Sequence, residues 1–358
     1  MNAKLSFYLL LFLATTCFDG IINVRWLSAM QNYTLFASAI LFPLSGILFF
    51  SIPMFYLKKI GSITRENTFK LVSHKDLAII AFFDSSSAIL QSIATPYLPI
   101  VGMSIYNRLT LIGIPIVSFF YLSKRYLPSH YLGIFLTLYG ILISFMPQFL
   151  NHEQLGNGWA GLYILGVIPA IFSFVYKEKK LKQSPEIWWF NTWVCIYQLL
   201  IGTLMLPFNI LLTKTSSFSG FGKQIGDGFV CQFVGKNMQD GDNCKYALIW
   251  FLLFNVLVTF LNVLMFIIIR EGSSVLFVIT NTVKTPITSF LGSFKVLAGK
   301  NTSKLTIADL FAFIMLIAGS LVYSWNDEIN PSKINFDEFI EIKDDENDNN
   351  ISLMIQNQ

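Results

Sequence analysis

Three ionisable side chains sit where the chain is otherwise apolar: Asp84 in "FFDSSSAILQS", Arg108 in "SIYNRLTLIG" and Lys284 in "FVITNTVKTPITSF". Asp19 follows the first apolar run in the same way. Taking such a charge out of water is costly in a protein core and in a bilayer alike, so each is neutralised by a partner or kept for a task. The chemistry open to these groups is recognition and proton exchange. A carboxylate can hold an ammonium or accept a proton, and a guanidinium or ammonium can hold a carboxylate or phosphate. Asp84, Ser87 and Gln91 follow three- and four-residue spacing, which predicts one hydrophilic helix face. Asn107 and Asn281 add amides beside Arg108 and Lys284. Together these seven residues are the expected substrate cavity, with Asp84 and Asp19 as the expected proton-coupling groups. The competing reading makes Arg108 a static partner of Asp84, and makes Asn191, Gln198, Asn255 and Asn262 interhelical hydrogen-bonding glue.

The elements that must position these side chains follow from composition. The chain has 358 residues, 54% hydrophobic and 13% charged, with a mean hydropathy of +0.59. A soluble domain carries about 25% charge, so an all-α polytopic membrane protein is expected. At about twenty apolar residues per crossing, ten spans are expected near 6–24, 34–57, 77–95, 98–122, 130–148, 158–176, 188–211, 246–269, 274–298 and 306–325. The first could pass for a secretory signal, but no small-residue cleavage site follows its apolar run, so it is read as a membrane helix. Helices are the default because open strand edges cannot sit in lipid. The net charge of +4 lies in short clusters between apolar runs, which excludes a nucleic-acid partner.

Basic residues set the orientation. With a cytoplasmic amino terminus, that side receives Lys4, Lys58, Lys59, Arg65, Lys70, Lys75, Lys124, Arg125, Lys177, Lys179, Lys180, Lys182 and Arg270, whereas the short opposite loops carry Arg25, Lys300 and Lys304. Both termini are then cytoplasmic, and the acidic tail 327–358 reads as disordered. The long connection 212–245 faces the other compartment. Cys231 and Cys244 lie in it, outside the spans, and are expected to form a disulfide; Cys17 and Cys195 fall within helices as small apolar fillers. Sequons at Asn32 and Asn301 on the same side are candidate glycosylation sites, while Asn350 lies in the tail.

An internal repeat organises the whole. "IPIVSFFYLSK" at 114–124 and "TPITSFLGSFK" at 285–295 share Pro, Ile, Ser, Phe and a final Lys at equal spacing, and each precedes a closing helix containing "YGILISF" or "AGSLVYSW". Five spans separate the copies. Because five is odd, the second copy is inverted, which is the 5+5 plan of secondary transporters: 1–155 as one repeat and 156–326 as the other. That plan places a site near mid-membrane between the halves, where Pro115 and Pro286 each remove a backbone hydrogen bond and Lys284 can stay hydrated. The three histidines lie in loops or at span ends, and no HExxH, CxxC or dinucleotide fingerprint occurs, so no enzyme, metal or cofactor is implied.

Over nearly its whole length the chain resembles the chloroquine-resistance-transporter-like branch of the drug/metabolite transporter superfamily. The resemblance rests on "NYTLF", "FFDSSSAIL", "FNTWVCIYQLL", "DGFVCQFVGKN" with its later cysteine, and "FKVLAG", in that order. It implies a ten-helix carrier in a vacuolar or lysosome-like membrane that exports amino acids, short peptides or cationic drugs to the cytosol on a proton gradient; plastid relatives move glutathione and its precursors. It also implies that the cysteine-bearing loop is luminal and that Asp84 matches an acidic cavity position. Two departures stand out. The second cysteine pair of parasite members is missing, and an acidic position of the eighth helix reads Leu261-Asn262, while Lys284 replaces a neutral polar residue. With Arg108 and Lys284 set against Asp19 and Asp84 the cavity is near neutral, which favours amino acids, short peptides or glutathione-like thiols over organic cations. The rivals are a nucleotide-sugar or organic phosphate antiporter, using Lys and Arg as phosphate ligands, and a non-transporting membrane receptor. A monomer is expected, with small-molecule substrate, protons and the lipid bilayer as its partners.

Overall fold

The computed structural model describes residues 3–33, 36–94, 98, 106–150, 158–213, 218–240, 242–292 and 307–325; Asn301, Lys295, Lys300, Lys304 and the tail lie outside them. Eleven α-helices carry the described chain: α1 (Ala3–Ala29), α2 (Phe42–Lys59), α3 (His74–Ala94), α4 (Leu109–Tyr121), α5 (Pro128–Leu150), α6 (Gly158–Leu181), α7 (Ile187–Thr213), α8 (Phe218–Phe229), α9 (Ala247–Glu271), α10 (Ser274–Gly292) and α11 (Ile307–Ser324). Among the described residues five segments are long and apolar enough to cross a membrane: Ala39–Lys59, His74–Ala94, Gly158–Leu181, Ile187–Met205 and Cys244–Glu271. Shorter apolar helical stretches lie at Leu109–Tyr121, Pro128–Ile143, Ser274–Lys284 and Leu310–Ser324.

The faces that these helices leave uncovered are the signature of a lipid solvent. Leu44, Leu48, Ile52 and Phe55 of α2 recur every three or four residues and are exposed, as are Tyr131, Phe135, Tyr139 and Leu142 of α5. In water such stripes would drive aggregation; in a bilayer they meet acyl chains. Within the helices, by contrast, the charged Asp19 and Lys177 are buried. The chain is therefore an all-α membrane protein.

Small residues set the closest approaches, as expected where lipid removes the hydrophobic drive between helices. α5 and α11 touch through Gly133, Thr137, Gly140 and Gly319. A Cβ at Gly319 would collide with Thr137 Oγ1 and stand 2.8 Å from the Gly133 carbonyl. Gly202 of α7 lies against Ala39 just before α2, where a Cβ would come within 2.9 Å of the carbonyl oxygen. Further extensive pairings join α3 to α6 and α7, α1 to α9 and α10, α2 to α7, and α4 to α6. Phe190 and Phe266, edge to face at 5.4 Å, anchor the main core.

The 212–245 connection is more ordered than a loop. It carries α8, a π-turn over Val230–Val234, and the Cys231–Cys244 disulfide, whose Cα atoms are 5.0 Å apart. A second buried cluster holds it down: Trp26 stacks on Phe254, with Met30, Tyr33 and Phe36 around both half-cystines. Asp242 is the hub, accepting from Tyr33 Oη (2.9 Å), Asn32 Nδ2 (2.9 Å) and the backbone N–H groups of Met238 and Gln239. Burial alone raises this carboxyl; the donors from Gln239, Asn32, Tyr33 and Met238 outweigh it and hold Asp242 below the usual carboxylate range. Asn32, a candidate glycan acceptor in the sequence, thus spends its amide on a structural bond.

Candidate functional site

Asp84 lies midway along α3, and two neighbouring helices converge on it. Ser173 and Lys177, one turn apart on α6, both reach it: Ser173 Oγ donates to Oδ1 at 2.5 Å, and Lys177 Nζ lies 2.7 Å from Oδ2. Gln198 of α7 donates to Oδ2 at 2.8 Å. The ion pair is mostly buried, with side-chain exposures of 8% for Lys177 and 19% for Asp84. The expected static partner, Arg108, is not the one found. Lys177 was read as a loop cation because "YKEKK" follows the apolar run, yet α6 continues to Leu181 and swings Lys177 inward. The available signal was its spacing of four from Ser173, which is buried on the same side of α6.

The pair borders a cavity of about 230 Å³. Its walls come from α2 (Phe42, Pro43, Phe50), α3 (Asp84, Ser85, Ala88, Ile89), α6 (Lys177), α7 (Asn191, Val194, Gln198) and α9 (Asn262, Met265, Phe266). Asn191, Gln198 and Asn262, read as glue, line the cavity; Asn255 does act as glue, accepting from Ser45 Oγ and donating to the Phe251 carbonyl at 2.7 Å. Ser87 and Gln91 lie with Asp84 on the side of α3 that meets α6, yet neither lines the cavity. Gln91 Nε2 donates to Ser87 Oγ (3.0 Å) and to the Gly166 carbonyl (3.4 Å), so these two stitch α3 to α6. The cavity takes positions 84, 85, 88 and 89 of α3, turned further toward α7, while 87 and 91 are packed against α6.

Arg108 and Lys284 belong to a second cluster. Lys284 of α10 lies in the electrostatic field of Asp19 on α1 and of Arg108 just before α4. Arg108 donates to Thr282 Oγ1 at 3.2 Å, and Asn107 Nδ2 to Tyr163 Oη at 2.8 Å, joining α4 to α10 and α6. Asp19 Oδ1 is buried without a hydrogen-bond partner among the described residues. Asn281 is half-buried on α10. The sequence-derived residues thus divide: Asp84 lines the cavity, whereas Arg108 and Lys284 do not.

The carboxyl end of α6 ties one end of the bundle shut. Lys124 Nζ meets Glu178 Oε1 at 2.5 Å with both side chains buried, and Glu178 Oε2 accepts from the backbone N–H (3.2 Å) and hydroxyl (2.6 Å) of Ser274 at the start of α10. Lys180 and Tyr176 hold Asp76 at the start of α3 (3.0 and 2.6 Å), and Lys182 Nζ donates to the carbonyls of Arg270 and Gly272. One helix terminus, read in the sequence as a run of cytoplasmic charge, therefore links α3, α4, α9 and α10.

A family model for CRT-like, chloroquine-resistance transporter-like proteins matches residues 5–323. The chain belongs to the CRT-like family. This is a family of transporters, so the protein is not an enzyme. Among CRT-like relatives, the chloroquine resistance transporter of Toxoplasma gondii is 23% identical over 347 residues, covering 90% of this chain but 38% of its own length. Crt homolog 3 of Dictyostelium discoideum is 22% identical, covering 87% of this chain and 71% of the relative. The chloroquine resistance transporter of Plasmodium vivax is 24% identical, covering 90% and 80%. The chain thus spans well under half of the Toxoplasma relative. A solved crystal structure superposes with a TM-score of 0.53 at 12% identity, over 91% of this chain and 98% of that one; at that identity the likeness concerns the fold alone.

Proposed function

We propose that this CRT-like protein is a secondary active carrier that exports amino acids, short peptides or glutathione-like thiols from an acidic vacuole or lysosome to the cytosol, coupled to protons. The observation that carries the reading is the Asp84–Lys177 pair at the wall of an otherwise largely apolar cavity. A zwitterionic substrate is complementary to it: the substrate carboxylate competes for Lys177 and its ammonium for Asp84. At about 30 Å³ per water-sized group, the cavity takes roughly eight such groups, the scale of one amino acid.

A ten-helix 5+5 architecture supports this reading. Counting spans and setting α8 aside, exchange of the halves maps α1, α2, α3, α4 and α5 onto α6, α7, α9, α10 and α11. Under that exchange the α1–α9 contact becomes α6–α3, α1–α10 becomes α6–α4, α3–α7 becomes α9–α2, and the α2–α7, α4–α10 and α5–α11 contacts map onto themselves. Every one of those pairings occurs. Such a bundle works by alternating access, and the α6 terminus with Lys124, Glu178 and Ser274 is then the closed gate. By the basic-residue bias this gate is cytoplasmic, as are both termini, and the disulfide loop is luminal. Asp19, with its bare buried oxygen, is the proton carrier of choice, since a proton reaching Asp84 must first displace Lys177.

An organic phosphate antiporter is the second reading, favoured by Arg108 and Lys284 acting in one electrostatic neighbourhood. Reconstituted vesicles decide between them. Uptake of labelled amino acids or dipeptides that rises with an acid-outside gradient supports the carrier; exchange that ignores the gradient and requires phosphorylated counter-substrate refutes it.

A further inference from the structure

We propose that the groove between α2 and α7 binds an anionic phospholipid. The groove encloses about 860 Å³ and is distinct from the Asp84 cavity. At one end it is lined by two exposed cations, Lys58 in the last turn of α2 and Arg65 in the loop that follows. Thr64 lines the groove with them; its Oγ1 accepts from the Asn67 N–H at 3.4 Å, which leaves its own proton to donate to a phosphate oxygen.

Charge complementarity is one-sided. No carboxylate lines the groove, and neither Lys58 nor Arg65 enters an ion pair among the described residues. The acidic side chains nearby in sequence are engaged elsewhere: Glu66 pairs with Lys70 at 2.9 Å, and Glu186 lies in the field of Arg270. Two cations lining one end of a groove that no carboxylate lines give it charge complementarity to an anionic headgroup.

The rest of the groove is built for acyl chains. Beyond the cations it is walled by Ile47, Met54 and Phe55 of α2 and by Ile196 of α7. Ile47 and Lys58 stand about 16 Å apart along the helix axis at 1.5 Å per residue, which is half of a hydrocarbon core of about 30 Å. The groove therefore runs from a phosphate plane to the bilayer centre, the depth of one leaflet. Trp189 and Trp193 line it near the charged end, where amphipathic indoles favour the headgroup region. It opens onto a lipid-facing surface, since Ile52 and Phe55 are 70% and 62% exposed. A free phosphate would satisfy the cations but leave this apolar length empty. Both walls also reach the Asp84 cavity, through Phe50 of α2 and Gln198 of α7, so a lipid wedged here bears on how the two helices move.

The test is lipid binding, independent of transport. Full-length protein in phosphatidylcholine nanodiscs receives brominated phosphatidylserine or brominated phosphatidylcholine, and quenching of tryptophan fluorescence is read. Brominated phosphatidylserine should quench at lower mole fraction, and Lys58→Gln and Arg65→Gln should each weaken that preference about fivefold. Lys58→Arg should retain it, and native mass spectrometry of the wild type should show retained phosphatidylserine, which keeps the test valid if a glutamine variant misfolds. Equal quenching by both lipids, or unchanged preference in the folded double variant, overturns the proposal. Loss of the preference on adding soluble glycerol phosphate also overturns it, because the groove would then be a site for free anions.

Discussion

Removing one member of the Asp84–Lys177 pair tests whether the pair handles cargo or only holds helices together. At 2.7 Å the two charges attract by about 6 kcal/mol for an effective dielectric constant of 20. Burying both ions costs several kcal/mol each, so the intact pair contributes little net stability. A single Asp84→Asn or Lys177→Gln leaves the other charge buried and unmatched, and should cost about 3–5 kcal/mol. The double variant removes both desolvation costs and keeps amides of similar shape, so it should recover most of that loss. A double-mutant cycle by thermal unfolding in detergent should therefore give a coupling of at least about 2 kcal/mol. Transport behaves differently. If the pair contacts substrate, all three variants lose uptake in reconstituted vesicles, the double variant included, although its fold is restored. A double variant that regains both stability and wild-type uptake would refute the assignment, because the charges would then serve only as scaffold.

Three further outcomes follow from the geometry. Asp242 is held below the usual carboxylate value of 3.8, so its stabilising contribution is present above that pH and lost as pH falls through its lower folded value; the disulfide-bearing segment should stay docked at mildly acid pH and release only below about pH 4, read by hydrogen exchange over 218–240 and 242–245, whereas Asp242→Asn should loosen it at neutral pH. Gly319→Val should destabilise the α5–α11 contact by about 1–3 kcal/mol or abolish expression, while Gly161→Val, whose Cβ meets nothing within 4 Å, should be near neutral. Asp19→Asn should retain counter-exchange of substrate but lose its dependence on a pH gradient, and unchanged gradient dependence would remove Asp19 from the proton path.

Several features were legible in the order of residues. Apolar run length indicated helices in lipid, and the expected spans 77–95, 188–211 and 246–269 fall close to α3, α7 and α9, whereas 34–57 begins well before α2 and 158–176 stops short of the end of α6. The pairing of Cys231 with Cys244 followed from their being the two cysteines outside the apolar runs. Others were misread for identifiable reasons. The connection 212–245 holds no apolar run long enough to span, yet α8 forms there under tertiary contact: Gly228 lies so close to Phe36 and Tyr33 that a Cβ would come within 2.8 Å of the Phe36 ring. Lys177 and Lys124 were counted as solvated topogenic charges, yet both are buried against carboxylates.

What the sequence by itself determined is the solvent and the inventory: hydropathy dictates a bilayer, backbone satisfaction dictates helices, and a few ionisable residues must then be accommodated inside. Which of those residues meet was decided only in three dimensions. Asp84 and Lys177 are 93 positions apart in sequence, and their contact depends on the rotation and depth at which α3 and α6 pack. That rotation follows from small residues such as Gly166, where a Cβ would crowd Gln91 and Leu90, and no local pattern in either helix encodes it.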